Sequence, residues 1–176
     1  MADGTLKVGT ITTSSGSGTI TIGQSGETVN VSGAAGTGFG KVLQVAQTTK
    51  TSSFSTSATS FTEVTGMNVS ITPSSASNKI LVLMNASLGH GSGGTSAHVT
   101  LYRNSTNLGH SSNGMNEVSD ANGSNSFSGG VGISWLDSPS TTSSTTYTIY
   151  ARTGSGTAYF NNNSEYCSIT AIEVAS

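Results

Sequence analysis

Short apolar runs recur along the chain from residue 41 onward, and their spacing constrains the fold more than any other feature. The runs come every eight to twelve residues, and clusters of Ser, Thr, Asn, Gly and Pro separate them. This rhythm is typical of an all-β sandwich or jelly roll. The predicted strands are Val42–Gln47, Phe61–Val64, Met67–Ile71, Ile80–Leu88, His98–Arg103, Asn107–Ser111, Phe127–Leu136, Thr146–Arg152, Thr157–Phe160 and Tyr166–Val174.

The composition agrees with an all-β fold and argues against several functional classes. Ser and Thr contribute 33 and 27 of the 176 residues, whereas Lys and Arg together contribute six and Asp and Glu eight. Residues that build long helices are scarce, and Thr, Val, Ile and Tyr favour strands. The scattered basic residues predict no nucleic-acid binding. The lack of an apolar run of about 18 residues predicts no membrane insertion.

The single cysteine and the first residues bear on where the protein folds. Cys167 cannot form an intrachain disulfide, and the opening Met1-Ala-Asp-Gly4 has neither a basic nor an apolar stretch. Both features predict folding in a reducing cytoplasm rather than passage through a secretory route. Because Cys167 lies in an apolar strand, we expect a buried small hydrophobe and not a reactive thiol.

The first 36 residues differ from the rest because their apolar residues come in short alternating pairs between Ser-Gly turns. Leu6 and Val8 form one pair, and Ile20 and Ile22 form another. Strands this short bury too little apolar area to be stable alone. We therefore expect a shaft to which three chains each contribute one wall. The alternative is a flexible arm that docks onto a partner.

The glycines that follow divide the chain into domains. Residues 1–36 are the predicted arm or shaft, residues 37–40 the Gly-rich linker, and residues 41–176 the β-sandwich head. Gly40-Lys41 does not complete a phosphate-binding loop, because Ala35 stands where that motif needs glycine and Val42 where it needs Ser or Thr.

One predicted strand is apolar on both of its faces. The run Ile80-Leu-Val-Leu-Met84 has no polar residue, whereas a strand with one solvated face alternates. We expect the opposite sheet to cover one face and a sister subunit the other. Trp135 shares a face with two apolar neighbours, which indicates a core or subunit contact. The predicted core and trimer-contact residues are Ile80, Leu81, Val82, Leu83, Met84 and Trp135.

The sequence offers little chemistry. No two carboxylates share a motif and no Gly-x-Ser-x-Gly elbow is present, so we predict no enzymatic activity and no cofactor. Asp137 precedes Ser-Pro at a strand end, which is typical of an Asx-turn. If residues 80–90 and 97–104 form a hairpin, His90 and His98 meet near its end, with His110 a few residues away. We favour ordinary loop histidines over a metal site, because no carboxylate is in place to support the imidazoles.

Several segments together resemble a known family. The opening Leu6-Lys-Val-Gly-Thr-Ile-Thr-Thr-Ser-Ser-Gly16 resembles openings of fibre and appendage proteins of tailed bacteriophages, notably phages of cyanobacteria and marine bacteria. This likeness and that of the later blocks cover most of the chain. It implies a homotrimer with jelly-roll heads, broadly similar to tumour-necrosis-factor or complement-type heads, and brings no catalytic residues. The blocks similar to a recurrent head domain are Ser77–Leu83, Val99–Asn104, Trp135–Thr142, Tyr147–Arg152 and Ser168–Val174.

The resemblance implies a non-enzymatic structural protein of the virion surface, assembled in the host cytoplasm. A tail fibre and a capsid decoration are both open, and the alternative is a carbohydrate-binding adhesin or lectin-like module that is not tied to a virion. Loops rich in Asn, Ser, Thr and Tyr suit a host cell-surface glycan. The residues predicted to bind phage capsid or tail proteins are Leu6, Val8, Ile11, Ile20 and Ile22. The predicted outward loop residues are His90, Asn116, Asn161, Asn162 and Asn163.

Overall fold

The structure is a computed structural model, and it describes residues 42–91, 96–120 and 126–175. The predictions for the N-terminal arm, including those for Leu6, Val8, Ile11, Ile20 and Ile22, lie outside these residues, as does the predicted linker. The described residues contain no helix and hence none long and apolar enough to cross a membrane.

Strands account for most of the described chain. Their bounds are β1 Val42–Lys50, β2 Phe54–Thr56, β3 Thr62–Ile71, β4 Lys79–His90, β5 Ser96–Arg103, β6 Thr106–Asn107, β7 Asn116–Ser119, β8 Phe127–Asp137, β9 Thr145–Thr153, β10 Ala158–Phe160 and β11 Cys167–Val174.

The strands form two antiparallel sheets. In sheet 1, β4 pairs with β8 on one side and with β11 and β10 on the other; β1 then pairs with β11, and β2 with β10. In sheet 2, β9 lies between β3 and β5, and β5 also pairs with the short strands β6 and β7. The all-β prediction is therefore confirmed, with an architecture consistent with a β-sandwich.

The core lies between the sheets and follows from alternation along the strands. In β11, Cys167, Ile169 and Ala171 are buried, and the residues between them are partly exposed. The largest fully buried side chains include Tyr147 of β9 and Phe160 of β10. The buried apolar residues are Val64, Met67, Val69, Ile71, Ile80, Val82, Met84, Leu88, Ala97, Val99, Leu101, Val118, Val131, Ile133, Tyr147, Ile149, Ala151, Ala158, Phe160, Cys167, Ile169 and Ala171.

Strand β4 runs the length of sheet 1, and its two termini define a proximal end and a distal end of the sheet. At the proximal end, Lys79 pairs with Val174, and Val174 pairs with Val42. At the distal end, His90 pairs with Phe127. With 12 residues, β4 spans about 36 Å between these ends. Val42, the first described residue, therefore lies at the proximal end.

Three strand predictions need correction. The segment predicted as strand Asn107–Ser111 is the two-residue β6 followed by a turn, because His110 pairs back onto Gly114. The short strands β2 and β7 were not predicted, since neither has an apolar run of its own. The two runs at 61–64 and 67–71 belong to one strand, β3, whose register shifts around Gly66 at a φ of 78°.

Candidate functional site

The outer face of sheet 1 carries an apolar row across four strands. Val45 pairs with Ile172, Ile172 with Leu81, and Leu81 with Leu136. Val45 is 60% exposed and Leu136 is 52% exposed, whereas Ile172 and Leu81 between them are partly exposed. A row of four large aliphatic side chains that are exposed or partly exposed is typical of a protein-contact surface.

The two rows that follow the apolar row towards the distal end are free of charge, whereas the row on its proximal side includes the exposed Lys79. The two uncharged rows alternate amides and hydroxyls around Leu83, and Gln47 donates from its amide to the Thr170 hydroxyl at 2.9 Å. Sheet 2, by contrast, exposes Glu63 and Glu117. Removing an uncharged surface from water costs less free energy than removing a charged one. The members of the two rows are Gln47, Thr170, Leu83 and Ser134, then Thr49, Ser168, Asn85 and Gly132.

The strand predicted to be apolar on both faces is β4, and it has apolar side chains both in the core and on the outer face of sheet 1. Ile80, Val82 and Met84 point into the core and are at most 4% exposed, whereas Leu81 and Leu83 lie on the outer face. Trp135 pairs with Val82 from the edge strand β8 and is 38% exposed. Its side chain is therefore only partly in the core, because β8 has no neighbour on its far side among the described strands.

A cavity of about 240 Å³ lies at the distal end, far from the apolar row. Phe127 is half exposed, and its ring centroid lies 6.4 Å from that of His90 with the planes 30° apart. Among the described residues, the lining contains no Asp, Glu, Lys or Arg. The cavity is lined by Gly89, His90, Ser126, Phe127, Ser128, Tyr159, Asn162 and Asn163.

His90 is buried in the wall of this cavity with one nitrogen unused. It is 1% exposed, its Nδ1 lies 3.2 Å from the carbonyl oxygen of Gly91, and its Nε2 has no hydrogen-bond partner. Its prediction as an outward loop residue is wrong. Strand β4 extends through position 90, where β8 and β10 hold the backbone from both sides.

The other predicted outward residues divide into three groups. Asn162 and Asn163 are exposed and line the distal cavity, as expected of outward residues. Asn161 is fully buried, and its backbone N–H donates to the carbonyl of Ser87. Asn116 begins β7, where its amide donates to the carbonyl oxygen of Gly132 at 3.2 Å. The loop assignment is therefore wrong for Asn116, whereas Asn161 lies in the predicted loop but points inward rather than outward.

The three histidines do not meet. Strands β4 and β5 belong to different sheets, so the expected hairpin is absent and His90 and His98 lie on separate layers. The Nδ1 of His110 accepts from the backbone N–H groups of Ser112 and Asn113. Across the residues that the structure describes, no group of three His, Cys, Asp or Glu could hold a metal ion.

Glu173 is a fully buried carboxylate that the sequence analysis did not single out. Burial opposes its ionisation, but hydrogen bonds from Asn78, from Gln44 and from the hydroxyl and backbone N–H of Ser74 outweigh this and lower the pKa of Glu173 to about 2. The donors come from β1 and from the β3–β4 loop. The carboxylate therefore fastens that loop to sheet 1 at the proximal end.

Asp137 is a second buried carboxylate, and it joins the two sheets. It accepts from the Tyr147 hydroxyl at 2.7 Å and from Nη1 of Arg103 at 3.0 Å. Burial and this hydrogen bond raise the pKa of Tyr147 far above its ordinary value. The Asx-turn interpretation of Asp137 is thus replaced by a structural bond between β8 and the strands of sheet 2.

Cys167 is buried as predicted. Its thiol lies 3.0 Å from the carbonyl oxygen of Lys50, and burial raises the pKa of the thiol. A raised pKa keeps the sulfur protonated and unreactive at neutral pH.

No known family model matches the chain, and no curated protein matches it.

Two surfaces of the described chain are therefore candidate functional sites. Glu173 and Asp137 flank Ile80 in neighbouring strands and are both engaged in hydrogen bonds at the proximal end. The distal cavity has aromatic, amide and hydroxyl groups of the kind that bind uncharged polar ligands. The outer face of sheet 1 has the apolar row and its neutral neighbours.

Proposed function

We propose that the protein is a non-enzymatic structural protein of a bacteriophage virion, a homotrimeric surface fibre or spike that contributes to host attachment. In this proposal residues 1–36 bind capsid or tail proteins, and the head from residue 41 faces outward. The observation that carries the proposal is the apolar row Val45–Ile172–Leu81–Leu136, whose two end residues are exposed and whose two central residues are partly exposed.

The strand order supports a jelly-roll head. Eight strands form nested antiparallel pairs, namely β1 with β11, β3 with β9, β4 with β8 and β5 with β7. Those are the pairs of one long antiparallel hairpin. Strand β11 also pairs with β4, and β9 also pairs with β5, so the hairpin is rolled into two sheets.

The choice of a second and third copy as the partner rests on charge and position. Three successive rows on the outer face of sheet 1 are uncharged, so a self-complementary contact over these rows brings no like charges together, and Lys79 lies in the next row towards the proximal end. Obligate interfaces are large and apolar at their centre. The apolar row also lies at the proximal end, at which the described chain begins with Val42.

Light scattering on the purified full chain tests the trimer. We expect a mass three times the chain mass of 17.6 kDa at micromolar concentration. Leu81→Arg should shift the protein towards the monomer, because three buried guanidinium groups would face each other. Thr65→Arg, on an exposed position of β3, is the matched control and should remain trimeric. A folded wild-type monomer would refute the proposal.

The absence of catalysis is part of the proposal. It is supported by the hydrogen bonds that occupy Asp137 and Glu173 and by their position at the end opposite the distal cavity. Incubation with host polysaccharide, followed by an assay for new reducing ends, tests it. Release of fragments would contradict it.

A carbohydrate-binding adhesin that is not tied to a virion is the second candidate. The uncharged distal cavity favours it, because that cavity does not depend on assembly. A monomeric mass combined with binding on a glycan array would favour this candidate over the virion trimer.

A further inference from the structure

We propose that the distal cavity is a binding site for one neutral saccharide unit. The inference deepens the proposed role in host attachment and rests on that role for its biological setting. Three observations carry it: the chemistry of the lining, the unused nitrogen of His90, and the position of the cavity in the head.

The size and lining suit a single sugar ring. A volume of about 240 Å³ is small beside the roughly 300–1,000 Å³ of sites for drug-sized ligands. Phe127 and Tyr159 offer aromatic surface, and Asn162 and Asn163 offer amide donors and acceptors. A pyranose has an apolar face and a polar edge, so it matches both kinds of group. The described part of the lining has no Asp, Glu, Lys or Arg, which favours an uncharged sugar over an acidic one.

His90 supplies the independent observation. A buried polar atom without a partner is rare in folded proteins and calls for a physical reason. With Nδ1 donating to the carbonyl oxygen of Gly91, Nε2 is an acceptor with nothing to accept. Because His90 and Phe127 line the same cavity, a sugar hydroxyl can donate to Nε2 while the sugar's apolar face contacts the Phe127 ring.

The position of the cavity fits a surface that meets a host. His90 lies nine residues along β4 from Leu81, which is about 30 Å in a strand. The cavity is therefore at the opposite end of sheet 1 from the apolar row and from Val42, the first described residue. Three such sites on one trimer would add weak single affinities into a stable attachment.

Saturation-transfer NMR on the full-length protein tests the site. The probes are the methyl glycosides of glucose, galactose, mannose and N-acetylglucosamine, with free sialic acid as the charged comparison. We expect at least one neutral glycoside to bind in the millimolar range and sialic acid not to bind. Binding of no glycoside, or of sialic acid alone, would overturn the proposal.

Variants locate the binding within the molecule. Phe127→Ala and Asn163→Ala should each weaken binding by about tenfold, because both side chains are exposed parts of the lining. Tyr166→Ala removes an aromatic ring that is 84% exposed and outside this cavity, and it should bind as the wild type does. The reverse pattern would place the site elsewhere and overturn the assignment.

The mass of the same samples, measured by light scattering, distinguishes failure of the sugar site from failure of the proposed trimer. A monomer that binds a neutral glycoside in a Phe127-dependent way would refute the trimer and keep the site. A trimer that binds none of the four glycosides would keep the trimer and refute the site.

Discussion

Glu173 shows how a single residue departs from its strand's pattern for a physical reason. The side chains of Cys167, Ile169 and Ala171 point inward from β11, and the same alternation places the Glu173 carboxylate among the buried side chains. The alternation of β11 is the signal that could have identified Glu173 from the sequence. The donors that stabilise the charge come from residues 44, 74 and 78, which no local pattern connects to position 173.

Replacing Glu173 by glutamine should destabilise the head by about 1–3 kcal/mol at pH 7, because an amide group would face donors that now bind a carboxylate. Urea unfolding followed by Trp135 fluorescence measures this. Glu63→Gln, at an exposed position of β3, is the control and should change stability by less than about 0.5 kcal/mol. Equal effects of the two substitutions would contradict the role given to Glu173.

Acid should also act through Glu173. Its pKa is about 2 in the folded chain and near 4.5 as a free group. A lowered pKa means that the unfolded chain binds the proton more readily, so this stability is present above pH 4.5 and is lost as the pH falls towards 2. The free energy of unfolding of Glu173→Gln should therefore fall less over that interval than that of the wild type, at equal protein concentration.

His98 should add a separate pH dependence above that interval. Burial and the nearby Arg152 lower the pKa of His98 below 6.5, and Glu117 opposes them only in part. The unfolded chain again binds the proton more readily, so stability should fall as the pH drops below 6.5. His98→Gln retains an acceptor for the Ser96 hydroxyl and should flatten the decline between pH 7 and 5. An unchanged decline would assign it to another group.

At the scale of elements, the sequence predicted the long strands and failed on the short ones. The alternation in β9 and β11 and the apolar run in β4 mark strands because each buries its own side chains. Strand β7 has Val118 as its one buried residue and exists through its pairing with β5. A strand that depends on a partner leaves little trace in its own residues.

The turn before β7 offers a test of this dependence. Gly114 has a φ of 69°, and an added Cβ would collide with the carbonyl oxygen of Val99. Gly114→Ala should therefore destabilise the head by about 1–3 kcal/mol, since both the dihedral and the contact are unfavourable. Gly130→Ala is the matched control, because a Cβ there meets nothing within 4 Å. Thermal unfolding of the two variants should separate them clearly.

For the whole molecule, the distal cavity could be predicted only in part. The sequence marked His90, Asn162 and Asn163 as candidates because Asn-rich loops suit sugars, but it did not bring them together. Their convergence depends on β4 pairing with β10 and β8 over its last residues. Phe127 and Tyr159 were missed as lining residues because they lie in strands rather than loops.

The last prediction concerns the assembled particle, in which the arm should anchor the protein and the head should hold the three chains together. The apolar row lies entirely within residues 45–172, so its area remains available when residues 1–36 are removed. A truncated chain should therefore stay folded and trimeric by light scattering, yet fail to join particles in an assembly assay with the full chain as control. Normal incorporation would refute the anchoring role of the arm. A folded monomer would instead show that the arm, and not the outer face of sheet 1, holds the three chains together.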